Sequence, residues 1–169
     1  MSKETIQQII ETLQLRQHPE GGYYKEIYRS PDAIIPPKRF KSDARCCATG
    51  IYYFLEAGDF SMFHKINSDE TWLYHHGGTL SIHVLPSKGE LITKKLGNPM
   101  THQDAAFQVT IPAGLWFAAE VNEPDSHVLS SCYVSPGFEF CDFELAKRDV
   151  LIQEYPRYQS IITRLTRLP

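Results

Sequence analysis

The sequence lacks the features of a nucleic-acid or membrane protein. Its 17 basic residues are scattered among 20 acidic ones, for a formal net charge of −3, so no positive stripe is available for a phosphate backbone. No stretch approaches the roughly 20 consecutive apolar residues of a membrane span. The start, MSKETIQQII, lacks the regions of a signal peptide. We therefore expect a cytoplasmic protein with no nucleic-acid or membrane partner.

Cysteine is scarce and follows no pattern. The four cysteines are Cys46, Cys47, Cys132 and Cys141, and no C-x-x-C pair occurs among them. This spacing resembles no structural zinc site and gives no framework of disulfides. Free cysteine behaves mostly as a small buried apolar residue, so we expect all four to be reduced.

Apolar residues are abundant enough for one core, because 42% of the 169 residues are hydrophobic and 12% are aromatic. Apolar positions at helical spacing predict a short helix from Lys3 to Leu15. Turn residues then separate short alternating segments that are typical of strands. The predicted strands are 23–30, 46–56, 61–66, 70–77, 79–86, 91–96, 106–111, 115–120 and 127–134. Helical segments at 142–146, 149–154 and 158–168 close the chain.

Many short strands in close succession predict an all-β sandwich or barrel. No linker, low-complexity tract or repeat divides the chain. We therefore expect residues 1–169 to form one domain, with a barrel over about 20–140 and C-terminal helices over about 142–168.

The most informative stretch is GDFSMFHKINSDETWLYHHGG, residues 58–78, in which His64 and Glu70 lie six residues apart between two glycine turns. This spacing resembles the first cupin motif. The segment PAGLWF, residues 112–117, resembles the second, Pro-x-Gly-x-x-His. The segments HPEGGYYKEIYRS, SDETW and SPGFEFCDFELA further resemble one cupin family of uncharacterised function, related in fold to the sugar epimerases of deoxysugar biosynthesis. The similarity runs from about His18 to Leu165.

The resemblance implies an all-β fold: a double-stranded β-helix, the cupin jelly-roll barrel, with a short N-terminal helix and C-terminal helices. It also implies a homodimer and a small-molecule pocket at the open end of the barrel.

Departures from the general cupin pattern bear on metal binding. A metal-binding cupin directs three histidines and a glutamate inward, and here only His64 and Glu70 stand at such positions. Ile66 and Phe117 occupy the other two. Two ligands form a weak first shell for a divalent ion, so we expect no metal or other cofactor. Alternation from Glu70 predicts that His76 faces the interior.

We expect His64 and Glu70 to be the catalytic residues, if the protein is an enzyme, because a buried His and Glu pair suits acid–base chemistry. The same pair is the weak alternative for a metal site. Aromatic and polar residues around them are the expected ligand-binding set. This set is Glu26, Tyr53, Ser61, Ile66, Trp72, Tyr74, His76, Phe117 and Glu139. Trp72 and Phe117 are equally compatible with plain core, and we interpret His18 and His83 as structural.

Three functions fit these residues. The first is an enzyme of the isomerase or epimerase kind that acts on a sugar or related polar metabolite. The second is a non-catalytic ligand-binding or sensing protein, which the substitutions Ile66 and Phe117 favour. The third is a metal-dependent dioxygenase or isomerase with incomplete protein ligation. Fold alone does not choose among them.

Overall fold

Short β-strands account for most of the chain between residues 16 and 145. The computed structural model describes residues 3–168. In chain order its strands are β1 (Arg16–Gln17), β2 (Tyr23–Arg29), β3 (Ala33–Ile34), β4 (Arg45–Cys46), β5 (Thr49–Glu56), β6 (Phe60–Lys65), β7 (Asp69–Gly77), β8 (Leu80–Leu85), β9 (Ile92–Leu96), β10 (Ala105–Ala106), β11 (Gln108–Ile111), β12 (Trp116–Val121), β13 (His127–Ser135) and β14 (Glu144–Leu145). Its α-helices are α1 (Lys3–Leu13), α2 (Arg148–Glu154) and α3 (Gln159–Arg164), and 3-10 turns lie at Phe140–Asp142 and Pro156–Tyr158.

The strands form two facing sheets and a small pair, β3-β4. The first sheet has the order β1-β2-β5-β13-β7-β11, and the second has the order β10-β9-β8-β12-β6-β14. Strands β5 to β8 pass alternately from one sheet to the other, which generates a double-stranded β-helix. The prediction of an all-β jelly-roll barrel, with helices only at the two ends of the chain, is confirmed.

The main core lies between the two sheets, because alternate residues of each strand point inward and are largely apolar. Its largest side chains are fully buried, as expected for a barrel interior filled by side chains. The buried members are Tyr24, Tyr53, Leu55, Trp72, Leu80, Ile82, Val84, Leu96, Val109, Ile111, Phe117, Ala119, Val128 and Cys132.

A second apolar cluster lies on the outer face of the second sheet, where the C-terminal helices cover it. Phe63, Leu85 and Trp116 of the sheet pack with Leu151 of α2 and Ile162 of α3. Consequently β8 is buried along all six residues. The helices thus supply the cover that this sheet requires on its outer side.

One predicted helix is wrong. Residues 142–146 contain the end of a 3-10 turn and then β14, which pairs with β6 so that Leu145 lies opposite His64. The backbone N–H of Ala146 donates to the carbonyl of Phe63 at 2.8 Å. The open edge of β6 satisfies the backbone groups of this segment, so no helical bonds form there.

Among the described residues, no helix has both the length and the apolar character needed to span a membrane.

Candidate functional site

A cavity of about 160 Å³ opens at one end of the barrel. One row of paired residues crosses the first sheet at this end: Thr49 on β5, Val134 on β13 and Glu70 on β7. The remaining walls come from β2, β6, the turn before β2 and the aromatic segment 138–143. Residues from both sheets therefore meet around one enclosed space.

Glu20 enters this cavity from the tight turn between β1 and β2. Gly21 and Gly22 adopt φ of 115° and 68°, a region that glycine accepts without steric penalty. The N–H of Gly21 donates to the carbonyl of His18 at 3.0 Å. A Cβ on Gly21 would lie 2.1 Å from the carbonyl oxygen of Phe60. The turn is thus pressed against β6, and only glycine allows that approach.

The Glu20 carboxylate has three polar neighbours although the residue is only 5% exposed. The Ser61 hydroxyl donates to Oε1 at 2.9 Å. Oε2 lies 3.3 Å from Nε2 of His64 and 3.4 Å from Nδ1 of His18. The backbone N–H of Glu20 donates to that same His18 nitrogen at 3.4 Å. Burial lowers the pKa of His18, which favours its neutral form.

His64 is held in one orientation. Its Nδ1 lies 2.8 Å from the carbonyl oxygen of Met62, so Nδ1 carries a proton and donates. Nε2 therefore faces Glu20 either with its lone pair or with a second proton between the two groups. The Phe117 and Phe143 rings, with centroids 4.1 and 5.4 Å away, enclose the imidazole. The imidazole is thus fixed with Nε2 against the Glu20 carboxylate.

Glu70 lies on the other sheet and is 8% exposed. Burial, with a contribution from the charge of Glu20, raises the pKa of Glu70 to about 8. The Cys132 thiol and the Trp72 indole lie close enough to oppose this rise, but less strongly. Burial also raises the pKa of Cys132 well above its ordinary value. The Glu70 carboxyl is therefore mostly protonated at neutral pH.

Arg29 and two glutamates form an ion-pair cluster at the mouth of the cavity. The Arg29 guanidinium contacts Glu26 at 2.8 Å and Glu139 at 2.7 Å. The hydrogen bond to Glu26 contributes most to the raised pKa of Arg29. A second guanidinium, that of Arg16, lies 4.8 Å from the centre of the Tyr24 ring. Both arginines that line the cavity thus have partners.

The family can now be assigned. Residues 7–146 match the family described as Cupin superfamily (DUF985). The chain belongs to this cupin family. The resemblance deduced from the sequence motifs is thereby confirmed.

Three proteins illustrate the similarity. The crystal structure of protein SO0799 from Shewanella oneidensis is 35% identical, has a TM-score of 0.84 and covers 95% of this chain and 96% of its own. A hypothetical protein from Leishmania major is 30% identical, has a TM-score of 0.88 and covers 99% and 100%. The uncharacterized protein YML079W of Saccharomyces cerevisiae is 30% identical over 154 residues, which are 85% of this chain and 76% of the yeast protein. None of these names states an activity.

Most of the residues expected from the sequence lie at the cavity of this cupin. The structure brings together on its lining His64, Glu70, Glu26, Tyr53, Ile66 and Glu139. Ser61 lies behind Glu20, which its hydroxyl contacts. Trp72 is fully buried against Tyr53, with ring centroids 5.2 Å apart, and Phe117 packs on His64. These three support the wall without lining the cavity.

Tyr74 and His76 do not line the cavity. Tyr74 lies two residues deeper than Trp72 along β7, and its hydroxyl donates to the carbonyl of Gly77 at 2.6 Å. His76 contacts His127, with Nδ1 and Nε2 3.2 Å apart. A bulge between β7 and β13 inserts His75 as an extra residue, and a bulge interrupts strict alternation. The expectation that His76 faces the interior is therefore wrong.

Several cavity residues were not expected from the sequence. They are Arg16, His18, Glu20, Tyr24, Arg29, Cys132 and Phe143, together with neighbours in the segment 138–140. His18, interpreted as structural, lines the cavity and contacts Glu20. The sequence carried one signal for Glu20, which is its charge. It stands in the motif HPEGG, where the proline and the two glycines serve only to form a turn.

The donor set does not fit the metal centre of the general cupin pattern. Ile66 lines the cavity and Phe117 packs on His64, so two of the four ligand positions offer no donor atom. The free nitrogen of His64 is directed at Glu20. Among the described residues, no group of three or more His, Cys, Asp or Glu side chains is placed to hold a metal ion.

Proposed function

We propose that this cupin binds a small polar metabolite in the barrel cavity and transfers protons on it, as an isomerase or epimerase does. The observation that carries the proposal is that Glu70 from one sheet, His64 from the other sheet and Glu20 from the turn line one cavity. Burial holds Glu70 in its protonated form, and the contact of His64 with Glu20 offers a place for a second proton, so separate acid and base roles are available.

The roles follow from this arrangement. The His64–Glu20 pair acts as the base: a proton given up by the ligand comes to lie between Nε2 of His64 and Oε2 of Glu20, which are 3.3 Å apart. Glu70 keeps its proton at neutral pH because of its raised pKa, so it acts as the acid. The base comes from β6 of one sheet and the acid from β7 of the other, so a ligand between them loses a proton to one and gains a proton from the other.

The size of the cavity limits the ligand. Its 160 Å³ is close to that of an engineered cavity of about 150 Å³ that holds benzene. One six-membered ring or a chain of similar size fits inside. A nucleotide attached to a sugar would have to lie outside the mouth.

Proton transfer is tested by isotope exchange. Wild-type protein is incubated in deuterium oxide with a panel of monosaccharides and their keto isomers, and loss of carbon-bound hydrogen is followed by proton NMR. We expect exchange in the wild type and in His102→Gln, whose side chain is partly exposed and does not line the cavity. Exchange should be at least tenfold slower in His64→Gln, in the range of general base catalysis. Equal rates in the two variants would exclude His64 as the base.

A second candidate is a binding protein without catalysis, and the apolar Ile66 and Phe117 favour it because they remove metal reactivity while leaving a cavity. Saturable binding with no exchange for any member of the panel would support this candidate. In either case we propose that the site works without a metal. Elemental analysis of purified protein would overturn this if it found a stoichiometric transition metal.

We further propose a cytoplasmic homodimer. The four cysteines are free, which is compatible with a reducing compartment. Light scattering after size-exclusion chromatography should give about twice the chain mass of 19.4 kDa.

A further inference from the structure

Glu70 is a buried carboxyl group that no basic side chain approaches among the residues that the structure describes. Its neighbours are the Cys132 thiol, the Trp72 indole and the carboxylate of Glu20, and the causes of its raised pKa include none of the described basic side chains. The Trp72 Nε1–H makes no hydrogen bond of standard geometry with any described residue. An unpaired buried carboxyl is costly unless it is protonated or meets a positive charge. In the cavity without a ligand, Glu70 is protonated.

The charges that line the cavity disfavour an anionic ligand. Arg29 already contacts two carboxylates, those of Glu26 and Glu139. Arg16 lies over the Tyr24 ring. Against these two guanidinium groups the lining carries four carboxyl groups. An added phosphate or carboxylate would therefore meet more negative than positive charge.

Aromatic rings form much of the remaining wall. Tyr53 comes from β5, and Phe138, Phe140 and Phe143 lie together in one segment with centroids 5.0 to 6.0 Å apart. The faces of such rings attract cations, and the attraction is strongest where water is excluded. An enclosed cavity with aromatic walls and one unpaired carboxyl therefore favours a cationic guest over a neutral one.

We propose that the cavity selects a small organic cation, a ligand with a single ammonium group that lies against Glu70 and the aromatic walls. This inference rests on the binding part of the proposed function, because it assigns the ligand to the same cavity. With a cation bound Glu70 is a carboxylate, so the acid role given to Glu70 above applies to uncharged ligands. As the cation enters, the Glu70 O–H bond breaks, the proton passes to solvent, and the resulting carboxylate pairs with the ammonium group. The charge of the cavity plus ligand is then unchanged.

The test uses two probes of the same shape. Choline carries a permanent positive charge, and 3,3-dimethylbutan-1-ol replaces its nitrogen by carbon. Isothermal titration at pH 7 should show choline binding the wild type at least about tenfold more tightly than the alcohol, the ratio expected of a desolvated cation–π contact with an added ion pair. Because the pKa of Glu70 is about 8, choline binding should release nearly one proton, seen by comparing buffers of different ionisation enthalpy.

Two variants separate the role of Glu70 from general effects. Glu70→Gln should release no proton and should retain only the part of the choline preference that the aromatic walls supply, so the affinity ratio of the two probes should fall below that of the wild type. Glu90→Gln should behave as the wild type, because that side chain is 83% exposed and does not line the cavity. Proton release that persists in Glu70→Gln would come from another cavity group, such as His18, His64 or Cys132, and would overturn the assignment to Glu70.

The outcomes also distinguish this inference from the proposed function. Equal affinity for the two probes, or no choline binding, overturns the cation preference, while isotope exchange on uncharged sugars leaves the proposed function in place. Tight choline binding without exchange on any panel member supports the cation site and overturns the proton-transfer role.

Discussion

The buried carboxyl of Glu70 makes a prediction about stability that needs no ligand. Glu70 binds its proton more tightly in the folded chain, where its pKa is about 8, than in the unfolded chain, where its pKa is 4.5. Between these pH values the folded state holds a proton that the unfolded state has released. The free energy of unfolding must therefore fall as the pH rises from 4.5 to 8. Below pH 4.5 both states are protonated and the effect is absent.

The size of the effect follows from the shift of 8 − 4.5 = 3.5 units. Each unit corresponds to roughly 1.4 kcal/mol. The free energy of unfolding therefore falls by at most about 5 kcal/mol by pH 8, and any water that enters the cavity reduces this amount. Glu70→Gln keeps the shape of the protonated acid but cannot ionise. Its stability should exceed that of the wild type by an amount that grows with pH. Burial keeps the neighbouring Cys132 thiol neutral throughout this range.

Urea unfolding at pH 5, 6, 7 and 8 measures this difference. The gap between Glu70→Gln and the wild type should widen by roughly 1.4 kcal/mol per pH unit and then level off above pH 8. Glu90→Gln, an exposed site, should stay within about 0.5 kcal/mol of the wild type at every pH. A gap that does not change with pH, or that narrows as the pH rises, would refute the argument that burial keeps Glu70 protonated.

Three further substitutions test the supports of the site. Ser61→Ala removes the hydroxyl that donates to the buried carboxylate of the turn and should lower the free energy of unfolding by about 1–3 kcal/mol in urea. Asp142→Ala leaves the buried guanidinium of Arg45 without its partner and should lower it by about 3–5 kcal/mol in the same assay. Arg29→Gln breaks exposed ion pairs, so stability should change by less than about 1 kcal/mol. Hydrogen exchange at residues 138–140 should nevertheless accelerate, and unchanged exchange there would show that Arg29 does not hold this segment.

The strands were predictable because their signals are local. Alternating apolar residues and turn residues identify 61–66, 79–86 and 127–134 within one or two residues of the observed β6, β8 and β13. Local patterns do not distinguish a helix from a strand where the structure of a segment depends on the free edge of a strand that is distant in the sequence. Residues 142–146 become β14 because β6, some 80 positions earlier, offers unpaired backbone groups.

The cavity was predictable only in part, for a geometric reason. His64 and Glu70 lie near the ends of two strands that a short turn joins, so motif spacing locates them. His76 follows a bulge whose extra residue is visible only in the pairing of β7 with β13. Glu20 lies in a turn. The direction of its side chain depends there on the φ angles of Gly21 and Gly22, and a turn has no repeating pattern from which the sequence could predict that direction.

Glu20 changes what the His64 position can do. A protein that holds a metal-binding histidine commonly fixes one ring nitrogen with a backbone carbonyl, so that the other points at the metal. Met62 supplies that carbonyl here, but the free nitrogen meets a carboxylate 3.3 Å away, with Phe117 beside the ring. In the function proposed above, the same orienting contact serves proton transfer in place of metal ligation. It follows that restoring a histidine at Phe117 alone would not create a metal site, because the Glu20 turn still lies against the His64 nitrogen that a metal would need.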